Sequence, residues 1–204
     1  MFPLQQPFLP RQDLPLRIFE PRYGALVRRC VGNGEPFGVV MISRGSEVGG
    51  GDSRCDIGVL TSIADCVEHG AGRYSLRSST GERMRVVQWL PDDPYPLAVV
   101  QVWPDEPGPA VTPDRLRELE SRVMALFERI ASARGSRLVG REILFGSLDE
   151  SDPGEWLFGL AVRVPIGAAD RYAVLSAPSA ADRLAALSEA VDSLAAVVEF
   201  QLSE

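Results

Sequence analysis

The hydrophobic pattern of this chain changes period once, at Pro104-Asp105-Glu106-Pro107-Gly108-Pro109. Before that point, short apolar runs are separated by turn-forming residues. After it, apolar residues recur three and four apart. Alternation is the pattern of a half-buried strand, and a 3.6-residue period that of an amphipathic helix. Three prolines in six residues end a strand and stiffen a connector. The chain is therefore expected to be α+β, with a β-rich domain at 1–104 and a helical subdomain at 105–204.

Within the first half, Phe2 to Leu9 reads as an irregular edge strand interrupted by proline. A helix is expected over 21–32. Pro21 suits its first position, and Tyr23, Leu26, Val27 and Cys30 share one face. Phe37 to Ile42 is a buried strand, and Ile57, Val59, Thr61 and Ile63 alternate. His69-Gly70-Ala71-Gly72 and Thr80-Gly81-Glu82 read as turns, and Pro91-Asp92-Asp93-Pro94 as a break before a last strand, Leu97 to Trp103. Short strands between turn signals imply a meander closing into a barrel or compact sandwich. In the second half, Thr112 and Pro113 open a helix whose apolar face holds Leu116, Leu119, Val123, Leu126, Phe127 and Ile130. Asp152-Pro153-Gly154-Glu155 has capping-box spacing, Asp170 to Leu175 is a short helix, and Ser179 with Asp182 opens another. Such stripes need partners, so a small bundle packed on itself and against the barrel is expected.

Several chemistries are absent from the composition. There is no lysine; all 21 basic residues are arginine. A phosphate-binding P-loop and a Ser–Lys dyad both need lysine. Gly45-Ser46-Glu47-Val48-Gly49-Gly50-Gly51-Asp52 lacks the P-loop pattern, and reads as a flexible connector or a partner-binding loop. Cys30, Cys55 and Cys66 read as reduced, partly buried thiols. The minor alternative pairs Cys66 with His69, the single histidine. No zinc spacing is present, and no cofactor is expected. Asp92-Asp93 and Asp149-Glu150 read as solvated acidic turns rather than acid–base pairs. No apolar run approaches the ~18 residues of a membrane helix, and no signal peptide is evident, so a cytoplasmic protein without membrane contact is expected.

Residues 1–104 carry 11 acidic and 11 basic side chains, whereas 105–204 carry 17 and 10. Nucleic-acid binders usually present net positive charge or a basic stripe, so this balance speaks against that class. Arg17, Arg22, Arg28 and Arg29 surround the first helix; Arg22 with Glu20 is expected to pin the strand-to-helix corner, with binding of an acidic peptide as the minor alternative. Phe19 is expected to be buried at that corner.

The run Pro15-Leu16-Arg17-Ile18-Phe19-Glu20-Pro21-Arg22-Tyr23 resembles the opening motif of the Lon protease amino-terminal (substrate-binding) domain family. That family includes free-standing bacterial proteins of about this length. Phe37-Gly38-Val39-Val40, Gly81-Glu82-Arg83-Met84-Arg85-Val86 and Tyr95-Pro96-Leu97-Ala98 are similar to its later strands, in the same order. Met84 stands where an aromatic is usual. The resemblance implies a PUA-like β-barrel followed by helices, and a non-enzymatic module. Its expected partners are unfolded or exposed apolar polypeptide segments, with a protease or chaperone as a further candidate. PUA-like barrels also bind RNA, which is the alternative function. The expected peptide-binding surface combines Arg44 and the loop through Glu47 with exposed aromatics, Trp89 and Tyr95; the other reading of Trp89, Tyr95 and Trp103, near strand ends, is core or rim packing. Loops adapt their backbone, and aromatics supply area with few rotors to immobilise.

Overall fold

Leu14, Leu16 and Ile18 are buried, while Asp13, Pro15 and Arg17 between them are exposed. That alternation places one face of the strand Asp13–Ile18 in a core. The computed structural model describes residues 1–136, 140, 141, 144 and 152–202; the Asp149-Glu150 pair lies outside them. The chain divides into two compact units, Met1–Pro104 and Asp105–Glu204.

The first unit contains β1 (Phe2–Leu4), β2 (Asp13–Ile18), α1 (Pro21–Asn33), β3 (Phe37–Arg44), β4 (Ser53–Glu68), β5 (Tyr74–Leu90) and β6 (Leu97–Val102). They form one curled half-barrel sheet in the order β1-β3-β4-β5-β2, with β6 also paired to β5. β1 runs parallel to β3 and every other pair is antiparallel. β1 is shorter than the expected Phe2-to-Leu9 strand and stops at Leu4. Tyr23, Leu26, Val27 and Cys30 are the buried face of α1, as their spacing requires, and Gly34 ends the helix in the left-handed region at φ 68°.

Thr80-Gly81-Glu82 is not a turn. β5 runs through it without a break. Val59 pairs with Arg83 and Thr61 with Thr80, so Gly81 and Glu82 together oppose the single residue Leu60. This is a β-bulge, which bends and twists a strand without reversing it. Below the bulge β5 pairs with β2 through Tyr74–Ser79, and above it with β6 through Met84–Leu90. The turn-forming residues thus hand one strand edge from one partner to another. Met1, Val40, Met84 and Val86 form a buried cluster, flanked by Leu60, Trp89, Ala98 and Val100.

The second unit contains α2 (Pro113–Ala133), α3 (Pro153–Arg163), α4 (Ala168–Ser176) and α5 (Ala180–Leu202) among the described residues. α5 touches all three of the others. Leu116, Leu119, Val123 and Leu126 are buried along α2; Thr112 precedes it as expected, but its side chain makes no capping hydrogen bond. Asp152 does cap α3, its carboxylate accepting from the Glu155 N–H at 3.0 Å. Ser179 Oγ accepts from the Asp182 N–H at 3.2 Å, which caps α5, and donates to the Asp182 carboxylate at 2.5 Å.

Arg183 of α5 is fully buried. Its guanidinium donates to both carboxylate oxygens of Asp105, one of them at 2.9 Å, and lies 3.7 Å from the centre of the Phe158 ring. The proline-rich connector therefore begins the second unit with a charge pair that α5 buries. No helix among the described residues is long and apolar enough to cross a membrane.

Candidate functional site

β1 and β2 stand at opposite ends of the sheet order, yet both line one groove of about 180 Å³. The curl of the sheet therefore brings its two outer edges to a common seam. Phe2, Leu4, Leu16, Ile18 and Tyr23 contribute the apolar lining. The rings of Phe2 and Tyr23 lie 4.3 Å apart, so α1 packs at one end of the seam. Burial pushes the Tyr23 phenol up to about 12. The ladder to β5 continues through Pro15, which is paired with Arg77. Proline has no N–H to donate to a neighbouring strand, and on an edge it limits strand addition.

Phe19 is the main correction to the sequence reading. It is 62% exposed and lies on the rim of the groove. The reason is strand parity: Leu14, Leu16 and Ile18 point inward, so Phe19 continues the outward series of Asp13, Pro15 and Arg17. The alternation could have revealed this from the sequence. Val48, 57% exposed, stands with it on the groove.

The Gly-rich loop crosses to this seam. Glu47 Oε1 accepts the Gln5 backbone N–H at 2.6 Å, and Gln5 Nε2 donates to the Gly45 carbonyl at 3.1 Å. Arg22 donates to the Glu47 carbonyl at 3.3 Å and to Glu20 at 3.1 Å. The Glu20–Arg22 pair thus fixes the strand-to-helix corner as expected, and also holds the loop. Arg22 lies 4.5 Å from the Tyr23 ring centre, in cation–π range. Arg17 lines the same groove and makes no ion pair among the described residues.

The four residues expected to form the peptide surface are differently placed. Glu47 lines the groove. Arg44 is exposed at the end of β3, where the loop begins. Trp89 is half-buried, its Nε1 donating to Asp56 at 2.9 Å and its ring 5.1 Å from the Arg54 guanidinium. Arg54 itself bridges Asp52 at 2.7 Å and Asp92 at 2.8 Å, so Trp89 belongs to a fixed ion-pair cluster. Tyr95 is only 6% exposed, contrary to the expectation of a surface aromatic. Its segment folds inward: the Asp93 N–H donates to the Tyr95 carbonyl at 3.1 Å, and the Pro96 carbonyl accepts from the Met1 nitrogen at 2.8 Å.

Cys30 and Cys66 show no sign of activation. Cys30 and Cys66 line a separate pocket of about 300 Å³. Burial pushes both thiols up, and Asp65 and Glu68 add to the effect at Cys66. His69 Nε2 lies 2.8 Å from Ser75 Oγ across its turn. Among the described residues, no group of three or more His, Cys, Asp or Glu is placed to hold a metal ion.

A Lon N-terminal domain protein from Xanthomonas campestris has a similar fold, with a TM-score of 0.65 at 22% identity over 91% of this chain and 94% of that one. The N-terminal domain of Lon protease from the Mycobacterium avium complex matches with a TM-score of 0.49 at 16% identity, over 99% of this chain and 97% of that one. No curated protein matches the chain. The sequence profile of the ATP-dependent protease La (LON) substrate-binding domain matches residues 1–193. A match over nearly the whole chain shows that this chain belongs to the LON substrate-binding domain family.

Proposed function

We propose that this protein is a non-catalytic polypeptide-binding module of the cytoplasm, and that the groove at the seam of the half-barrel receives unfolded or exposed apolar segments. The observation that carries this reading is the pair of exposed side chains, Phe19 and Val48, standing over a groove whose lining mixes apolar side chains with Arg17, Glu20 and Glu47. A large aromatic left in water beside a concave surface gains most when a partner covers it. The curled sheet is read as PUA-like and residues 105–204 as a helical bundle, with the first unit carrying recognition. Its partners include a protease or chaperone that receives the bound segment.

The test uses reduced, alkylated lactalbumin as a labelled unfolded probe. Phe19→Ser should weaken binding about tenfold, the scale of a lost aromatic anchor, while the melting temperature stays unchanged. Unaltered binding would remove the groove from consideration. A salt-steep affinity for RNA, insensitive to Phe19→Ser, would move the reading to the nucleic-acid alternative.

A further inference from the structure

We infer that the loop 45–52 is an internal mimic of the groove's ligand: Glu47 and Val48 hold the place of a carboxylate–aliphatic pair in an extended acidic–apolar polypeptide segment. This rests on the groove being the binding site. Three observations on the loop converge. The Glu47 carboxylate takes the Gln5 N–H, immediately beyond the last residue of β1, as an arriving chain would. Arg22 holds the Glu47 carbonyl, so the loop is gripped by backbone as well as by side chain. Val48 follows directly and lines the groove with Phe19 while remaining largely in water.

The loop is also built to leave. Gly45, Gly49, Gly50 and Gly51 all adopt positive φ, where glycine moves at little steric cost. Charge decides the class of ligand. Arg17 lines the groove without an ion pair among the described residues, and Arg22 is already turned toward the loop. A segment bearing a carboxylate beside an aliphatic residue would satisfy the Gln5 N–H and Arg17 together, and would seat its aliphatic side chain between Phe19 and Leu16. Binding then requires Glu47 to release Gln5, so the loop sets the affinity. A site whose open form is a minor state binds more weakly in proportion to that population.

The experiment uses a fluorescent twelve-residue peptide with one Glu-Val pair in an apolar extended context, and its Gln-Val counterpart. Glu47→Ala should bind the Glu-Val peptide about tenfold more tightly than wild type, the gain expected when a mostly closed state is opened. The Gln-Val peptide should bind the same variant about tenfold more weakly than the Glu-Val peptide, as expected when a charge-assisted bond is lost. Hydrogen exchange at the Gln5 amide gives a second readout: faster in Glu47→Ala, and slowed again by the Glu-Val peptide. Equal or weaker binding by Glu47→Ala, or unchanged Gln5 exchange, overturns the mimic. If neither peptide binds wild type or variant, the carboxylate–aliphatic ligand class is wrong. The groove itself is judged separately, by the effect of Phe19→Ser on the unfolded lactalbumin probe.

Discussion

Phe19 shows how much a single position depends on parity. Three inward residues in β2 leave it outside, so its truncation removes little buried area. Phe19→Ala should change stability by about 0.5 kcal/mol or less, the usual range for surface substitutions. A clear drop in melting temperature would mean that the ring is covered. Gly58 is the opposite case. A Cβ there would lie 2.1 Å from the Val39 carbonyl, a backbone atom of the paired strand. Gly58→Ala should cost about 1–3 kcal/mol, the usual scale of overpacking. At Gly38 the added atom would meet the flexible ends of Met1 and Met84 instead. Gly38→Ala should therefore be milder, and denaturant midpoints of the two variants should rank in that order. Asp52 links the ion-pair cluster to pH. Burial opposes its ionisation, but hydrogen bonds from Arg54 and from its own backbone prevail and hold the carboxyl below the ordinary range. The unfolded state therefore takes up the proton first. The contribution is present above the ordinary carboxylate pKa of about 3.9 and is lost as pH falls toward the folded value. Asp52→Asn should flatten the acid limb of a melting-temperature profile; an unchanged acid limb would mean that Asp52 adds nothing there.

At the scale of elements, β5 changes partner at its bulge, which bends the strand, and the helical unit is organised around α5. Arg183 illustrates the second point. It is fully buried against Phe158 and paired with Asp105, whose side chain is about one-third exposed. Removing one member of a buried pair leaves an uncompensated charge, whereas an apolar replacement of the whole pair is often neutral. Asp105→Ala should destabilise by roughly 3 kcal/mol, near the low end of that range because the carboxylate is partly hydrated. The double variant Asp105→Leu with Arg183→Met should recover most of the loss. A double-mutant cycle by urea denaturation measures both. Additive losses would show that the two side chains are not energetically coupled.

For the whole molecule, chemistry is expected to be silent. The chain has no lysine for a nucleotide loop and one histidine, already within hydrogen-bonding distance of Ser75. Purified protein should show neither ATP hydrolysis nor peptidase activity. Turnover that co-elutes with the protein through successive columns would overturn the non-enzymatic reading. The sequence by itself determined the change from strand to helix near Pro104, the buried face of α1, and the capping residues of α3 and α5. Each of these depends on neighbours a few residues apart, where period and hydrogen-bond reach act directly. Only the tertiary structure decided that Thr80-Gly81-Glu82 bends a strand instead of ending it, because a bulge exists only relative to its partner, here Leu60. The same holds for the seam. β1 and β2 meet there because the sheet between them curls, and Glu47 reaches Gln5 across 42 positions of chain. Tyr95 went inward, and Trp89 was fixed beside Arg54, for a like reason: whether an aromatic near a strand end faces water depends on what the returning chain lays against it.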